Sequence, residues 1–203
     1  MKLLEVLGKP EKSIETQDDY ISRLRDRGMR KVGSGVQSNV YQHPQFDKIV
    51  VKVSREEQAP LAYLKYVLTH QSNPYVPKVY HVRRFRTKER GWGSEYYIAF
   101  IEKLTEYKLL RPLERQRIVK THLGPDIVAW LGGDKKYNPY AFEYMAEPEG
   151  LALMRASNKK LGVPSKHLID VMSFISKHTA SLDLHHGNIM LRGSHPVITD
   201  PVV

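Results

Sequence analysis

The alternation of apolar and polar residues divides the chain into a strand-rich first half and a helix-rich second half. Between residues 29 and 104, β-branched runs such as "KIVVKVS" are separated by Gly, Asn, Pro and Asp, which is typical of strands and turns. This pattern predicts an antiparallel sheet of about five strands, with one helix, opened by Pro60, inserted after the third strand. Residues 13–27 predict an earlier amphipathic helix that ends at Gly28.

Helical periodicity dominates after residue 104. The predicted helices cover 112–123, 125–131, 139–156 and 165–178. Two strand-like runs, "NIMLRG" and "PVITDPVV", follow the last helix. This order predicts an α+β fold with two lobes, in which residues 1–107 form a β-rich lobe with an antiparallel sheet and one helix, and residues 108–203 form a reduced helical lobe.

Composition narrows the class of protein. With 203 residues, 41% of them hydrophobic and 27% charged, the chain is expected to be a soluble globular protein. We expect no membrane partner and a cytoplasmic location, because no apolar run approaches a membrane span and no secretory signal is recognisable. The absence of cysteine excludes disulfides, thiolate catalysis and cysteine-ligated zinc. The net charge of +10 indicates either an acidic partner, such as nucleic acid or a nucleotide, or merely solvated basic faces.

Two features of the first half suggest that it binds an anion. In "VGSGVQSNVY", residues 32–41, a Gly-x-Gly turn made of Gly33, Ser34 and Gly35 would let backbone N–H groups approach an anion, although an ordinary glycine hairpin has the same pattern. Lys52 interrupts an apolar strand, where a buried ammonium is costly unless it meets an anion. A lysine on the exposed face of an edge strand is the alternative.

Two features of the second half contain side chains whose oxygen atoms could act in catalysis or bind a metal ion. In "SLDLHHGNIML", Asp183 could accept or orient a hydroxyl proton, and Asn188 could offer an oxygen to a divalent cation. Asp200 follows an apolar strand, where a carboxylate can hold magnesium with few other protein ligands. Each residue alone is also explained by its preference for turns. In chain order, the glycine turn, the strand lysine, the loop aspartate with asparagine and the strand-end aspartate together indicate phosphoryl transfer.

The same features carry a family resemblance. Their order and context resemble the protein-kinase fold, and "DLHHGN" resembles the catalytic loop of aminoglycoside-type and other atypical kinases. More closely, "VGSGVQSNVYQHP…IVVKV", "VPKVYHV" and "LDLHHGNIM…PVITDPV" resemble the early Ser/Thr protein kinase of short-tailed, autographivirus-type bacteriophages. The resemblance covers about 29–53, 72–104 and 165–203, roughly half of the chain.

The resemblance implies a role for each candidate residue. Asp183 would be the catalytic aspartate, and Asn188 and Asp200 would bind magnesium. Lys52 would act in catalysis by contacting the α- and β-phosphates. The remaining ATP contacts would be Gly33, Ser34 and Gly35 over the phosphates, Val40 on the adenine, and the backbone of Glu102 and Leu104, in the hinge "FIEKL" at 100–104, on the adenine edge.

The implied function is that of an ATP- and magnesium-dependent Ser/Thr protein kinase acting on host proteins in the host cytoplasm. Its targets would include transcription or RNA-processing machinery, such as RNA polymerase or ribonucleases. One alternative is a kinase-like binding protein without turnover, which inhibits a host factor through its basic surface. Another is a small-molecule phosphotransferase of the aminoglycoside type, although that family usually has an acidic substrate-binding lobe beyond the loop.

Several positions depart from the kinase pattern, and three of these departures, namely Ser38, the missing glutamate and the early chain end, favour the binding protein. Lys52 lacks an obvious glutamate partner, since Glu89 is the only acid between Gln58 and Gly91 and the earlier Glu56 and Glu57 are very close to Lys52 in sequence. The sequence ends three residues after Asp200, which leaves open a minimal kinase, a reduced kinase-like protein or a longer chain. The other departures are Ser38 in place of the third glycine, Ser181-Leu182 in place of His-Arg, and Pro-Val after Asp200 in place of Phe-Gly.

Two further groups have competing interpretations. The basic patch, residues 83–92, combines five Arg or Lys with Phe85 and Trp92, and predicts either a docking site for nucleic acid or an acidic protein, or a solvated hairpin tip whose arginine stems cover apolar surface. His185 and His186 could bind zinc. Because adjacent side chains rarely point the same way, we expect them instead to support the loop around Asp183.

Overall fold

A computed structural model of the chain describes residues 16–35, 38–55, 58–86, 95–131, 141–178, 184 and 187–200. This part contains a five-stranded antiparallel sheet and seven α-helices, which confirms the predicted α+β class. None of the helices in these ranges has both the length and the apolar character needed to cross a membrane.

The described residues divide into two compact units. The first unit takes in 16–55 and 78–103, and the second unit takes in 58–77 and the residues from 104 onward. Our sequence interpretation grouped 58–77 with the first lobe, whereas in the structure this segment lies in the second unit. The chain passes from the first unit to the second after Lys103, which is within the predicted hinge.

Helix α1, Gln17–Asp26, opens the described part of the first unit. It begins with a reciprocal cap, in which the Thr16 hydroxyl accepts from the Asp19 N–H at 3.2 Å and the Asp19 carboxylate accepts from the Thr16 N–H at 3.0 Å. Gly28, with φ of +76°, follows the helix in the left-handed conformation that favours glycine. The predicted end of this helix is therefore confirmed.

The five-stranded sheet of the first unit has the order β1-β2-β3-β5-β4. One face packs against α1, where Tyr20 and Leu24 form a buried core with Val51, Val53 and Tyr96. Because side chains alternate along a strand, Lys52 points to the opposite face. The strands are β1 (Arg30–Ser34), β2 (Ser38–Gln42), β3 (Ile49–Arg55), β4 (Val79–Arg86) and β5 (Glu95–Glu102).

The second unit combines helices with a small sheet of order β6-β7-β8. The sheet consists of β6 (Thr105–Glu106), β7 (Ile189–Arg192) and β8 (His195–Ile198). Its last two strands were expected, but β6 has only two residues, too few for a sequence pattern. The helices are α2 (Gln58–Thr69), a 3-10 turn at Tyr107–Leu109, α3 (Pro112–Leu123), α4 (Pro125–Trp130), α5 (Ala141–Ala146), α6 (Pro148–Leu161) and α7 (Lys166–His178).

The helix predicted over 139–156 is wrong as a single element, because α5 and α6 divide it. Glu147 lies between them with extended backbone, φ −74° and ψ 156°. Pro148 disfavours helical geometry in the residue before it and cannot donate a backbone hydrogen bond, so the chain starts a new helix there. Gly150 is buried where α6 meets the end of α5, and a Cβ on it would come within 2.8 Å of the Met145 Cα.

Candidate functional site

Three of the predicted nucleotide contacts lie side by side in the first unit. Gly33 on β1 pairs with Val40 on β2, and Val40 pairs with Lys52 on β3. Directly paired residues share a face of a sheet, and this is the face opposite α1. Val40 and Lys52 are both half-buried.

The position of Lys52 rules out one alternative. Strand β3 lies between β2 and β5, so Lys52 is on an interior strand and not on an edge strand. Its neighbour across β5 is Ala99, which is fully buried. Lys52 is therefore half-buried on an interior strand beside a small residue, and not on an exposed edge.

Neither glycine of the turn has the left-handed backbone that would require glycine. Neither Gly33 nor Gly35 has a positive φ. A Cβ on Gly33 would lie 3.6 Å from the Val40 Cβ, and one on Gly35 would lie 3.4 Å from the Ser38 Oγ, both ordinary contacts. The Gly35 N–H donates to the Ser38 carbonyl at 2.8 Å, and Ser34 is exposed at the end of β1. The register of β1 against β2 shifts between Lys31 and Gly33, so glycine in this strand is explained either by that irregularity or by close approach of a ligand to the backbone.

The two predicted hinge residues differ in what their backbone offers. The Glu102 N–H donates to the Lys78 carbonyl at 2.9 Å, and its carboxylate accepts from the Lys78 N–H at 2.7 Å. The Glu102 amide is thus used within the first unit. The N–H of Leu104 donates to no backbone carbonyl in the part of the chain that the structure describes. Of the two amides, that of Leu104 is better suited to an adenine edge.

In the second unit, Asn188 and Asp200 lie at the same end of the β7–β8 hairpin. Asn188 immediately precedes β7, whose first residue, Ile189, pairs with Ile198 at the end of β8. The N–H and the hydroxyl of Thr199 each donate to the Asn188 carbonyl at 3.0 Å, across eleven positions of sequence. The hairpin therefore brings the two predicted magnesium ligands to one end of the sheet. Their amide and carboxylate oxygens are donors of the type that magnesium prefers.

Residues 74–76 are hydrogen-bonded to both strands of this hairpin. The Arg192 guanidinium donates to the carbonyl of Pro74 at 2.9 Å and to that of Val76 at 3.0 Å. The Ile198 N–H donates to the Tyr75 carbonyl at 2.9 Å. These three hydrogen bonds fix both strands of the hairpin to one stretch of chain, which restricts how the end bearing Asp200 can move.

A cluster of uncharged aromatic side chains, Tyr75, His122 and His195, connects the hairpin to α3. The rings of His122 and His195 meet edge-on with centroids 4.6 Å apart, and the Tyr75 hydroxyl lies 3.0 Å from His122 Nδ1. Burial, reinforced by the nearby His195, lowers the pKa of His122 to about 4. Burial and the Arg192 charge lower the pKa of His195 as well. Both imidazoles are therefore uncharged near neutral pH.

The predicted catalytic residue Asp183 lies outside the described residues, as do His185 and His186. Leu184 is fully buried, and Asn188 is half-buried. No group of three His, Cys, Asp or Glu side chains suited to a metal occurs within the described ranges. Asn188 and Asp200 alone still fit magnesium, which commonly keeps water and substrate phosphate oxygens in most of its coordination positions.

The described part of the basic patch is its strand portion on β4. The Arg83 guanidinium lies over the Phe85 ring, 5.1 Å from its centroid, which is the apolar-covering role that one interpretation expected. Arg84 is exposed, and β4 is an edge strand of the sheet. Residues 87–94 lie outside the described residues, so docking of nucleic acid stays a prediction.

Sequence reasoning missed two residues that hold the hairpin in place: Thr199 at the end with Asp200, and Arg192 beside the turn. Thr199 and Arg192 have no distinctive local pattern: one is a threonine before an aspartate, the other an arginine that ends a strand. Their roles depend on carbonyl groups of Asn188, Pro74 and Val76, which are distant along the chain. The proximity of Thr199 to Asp200 was the only signal available.

A scan against protein-family models matches none of them, and a search of curated proteins finds no similar one. Membership in the phage kinase family therefore stays a prediction from the motifs.

Proposed function

We propose that this chain is an ATP- and magnesium-dependent Ser/Thr protein kinase of phage type, with a kinase-like two-lobed fold. The observation that carries the proposal is that Asn188 and Asp200 lie at the same end of a hairpin, where the N–H and hydroxyl of Thr199 donate to the Asn188 carbonyl. The row of Gly33, Val40 and Lys52 across the sheet supports a nucleotide site.

Each described residue would have a distinct task. Lys52 would set its ammonium against the α- and β-phosphates, where partial burial strengthens the attraction relative to water. The backbone at Gly33 and Gly35 would cover the phosphates without side chains in the way. Asn188 and Asp200 would hold magnesium, which neutralises charge on the phosphates.

Asp183 would orient the substrate hydroxyl, and the acceptor would be a serine or threonine on a host cytoplasmic protein. By resemblance, the targets include RNA polymerase or ribonucleases. The net charge of +10 supports acidic partners, and patch 83–92 is the surface we assign to such docking, nucleic acid included.

A binding protein without turnover is the second candidate. Helix α2, with the sequence QAPLAYLKYVLT, contains no Asp or Glu, and it belongs to the second unit. The kinase pattern has a glutamate in the helix that follows the strand lysine, and the sequence of α2 does not supply one. A chain that keeps the fold but blocks a host factor through its basic surface would tolerate that loss.

Phosphate transfer separates the two candidates. We would incubate the protein with γ-labelled ATP and magnesium, with and without host lysate, beside Asp183→Ala and the control Asp47→Ala at an exposed turn position. A kinase is expected to label protein, to lose at least about a hundredfold of its rate in Asp183→Ala, and to keep its rate in the control. No transfer by the unmodified chain would refute the kinase. Transfer that survives in Asp183→Ala would refute the catalytic assignment.

A further inference from the structure

The hydroxyl of Tyr63 is attached to the strand that leads to Asp200. Tyr63 lies in α2, is 3% exposed, and donates its hydroxyl hydrogen to the Ile198 carbonyl at 2.7 Å. Ile198 is the last residue of β8, the outer strand of the small sheet. A buried tyrosine hydroxyl needs a partner, and this one binds main chain two positions before the predicted magnesium ligand.

Ile198 and Thr199 are fixed from three directions. The Ile198 N–H donates to the Tyr75 carbonyl at 2.9 Å, and the Ile198 carbonyl accepts from Tyr63. The Thr199 N–H then donates to the Asn188 carbonyl at 3.0 Å. Asp200 is the next residue, so the direction of its Cα–Cβ bond depends on how firmly these two peptide groups are held.

The Tyr63 hydroxyl stays protonated and can therefore donate a hydrogen bond. Burial, and to a smaller extent the neighbouring Tyr66 and Asp200, raise the pKa of the Tyr63 hydroxyl well above its usual value. The phenol therefore stays protonated and remains a hydrogen-bond donor at physiological pH.

Helix α2 is packed firmly within the second unit. The Tyr66 ring stacks on Phe174 of α7 at 4.2 Å between centroids, and the Tyr63 ring lies 6.3 Å from the same ring. The Tyr63 hydroxyl is thus presented by a helix whose own position is fixed by aromatic packing. Through this hydroxyl, α2 is connected to the strand that leads to Asp200.

We infer that Tyr63 is a positioning residue for Asp200: its hydroxyl holds the Ile198 carbonyl so that the strand end presents the Asp200 carboxylate beside Asn188 for magnesium. The inference rests on the proposed function, because that function assigns Asp200 to the metal. Helix α2 would then act on the predicted magnesium ligand Asp200 through a tyrosine, and this role requires no glutamate.

The test replaces the hydroxyl alone, with Tyr63→Phe beside the matched control Tyr66→Phe. Tyr66 is on the same helix and is 9% exposed, and among the described residues its hydroxyl makes no hydrogen bond to β8. Mn²⁺ serves as the probe, and its binding in the presence of ATP is measured by water proton relaxation. We expect Tyr63→Phe to weaken Mn²⁺ binding about tenfold and Tyr66→Phe to change it less than about twofold.

Amide hydrogen exchange gives a second readout that needs no metal. The Thr199 N–H should exchange about tenfold faster in Tyr63→Phe, and at the unmodified rate in Tyr66→Phe. If the unmodified chain binds no Mn²⁺, the proposed function fails, and with it the metal role of Tyr63. If the unmodified chain binds Mn²⁺ but Tyr63→Phe matches it, or if both variants lose binding and exchange protection equally, the inference alone is overturned.

Discussion

Replacing Gly33 with alanine should separate nucleotide binding from folding. A Cβ at this position would lie 3.6 Å from the Val40 Cβ and 3.8 Å from its Cγ2, both ordinary contacts, and the backbone of Gly33 is not left-handed. The methyl group therefore fits the folded hairpin. Because alanine also has less freedom than glycine in the unfolded chain, the free energy of unfolding should change little or rise by about 0.5–1 kcal/mol.

ATP affinity should respond in the opposite direction. Gly33 pairs with Val40, the predicted adenine contact, and Val40 pairs with Lys52, the predicted phosphate contact. If phosphates approach the backbone here, a methyl group stands in the space they need. We expect ATP binding to weaken at least about tenfold, which is about 1.4 kcal/mol, while the fold is unchanged or more stable.

The assay is a pair of measurements on each variant: urea unfolding, and ATP titration by calorimetry in magnesium. Gly28→Ala is the matched control in the same unit, because Gly28 has φ of +76° and a Cβ added to it would meet nothing within 4 Å. It should lose about 1 kcal/mol of stability and keep its ATP affinity. Unchanged ATP affinity in Gly33→Ala would refute the close approach of a ligand to this strand.

Two further predictions concern stability. The pKa of His122 falls from 6.5 to about 4 on folding, so the unfolded chain binds more protons between these values and stability should fall as pH drops through this window. Because the ring is partly exposed, we expect a loss of about 1 kcal/mol between pH 7 and pH 4.5, measured by urea unfolding, and a flatter profile in His122→Gln. Gly150→Ala would place a Cβ within 2.8 Å of the Met145 Cα, so it should cost more than about 2 kcal/mol by the same measurement. The control Gly162→Ala, with φ of +71° and open space around it, should cost about 1 kcal/mol, and equal losses in the two variants would contradict the steric argument.

The sequence predicted those elements of the fold that are determined by neighbouring residues. The β-branched runs predicted the five-stranded sheet, and Gly28 predicted the end of α1. For Lys52 the sequence predicted only a lysine within an apolar strand, and the structure adds that it lies on the face away from Val51 and Val53, which pack under α1. The sequence could not show that β3 is an interior strand, because that depends on the pairing of β5 beside it.

Contacts between residues that are far apart along the chain could not be predicted from the sequence. The hydrogen bond from Tyr63 to the Ile198 carbonyl spans 135 positions, and a tyrosine on an apolar helix face otherwise indicates only a core residue. Strand β6 is formed by two residues whose conformation depends on pairing with β7. The break before Pro148 had a local signal, but the apolar spacing on both sides favoured one long helix.

The most direct test of the proposed phosphate role of Lys52 and the proposed magnesium role of Asp200 is ATP titration with magnesium and again with EDTA. We predict that Lys52→Ala weakens ATP binding about tenfold under both conditions, because the proposal sets the ammonium against phosphate without a metal between them. We predict that Asp200→Asn weakens it about tenfold with magnesium and leaves it unchanged in EDTA. An unmodified chain that binds no ATP, or an Asp200→Asn variant whose affinity matches the unmodified chain in magnesium, would contradict the proposed site.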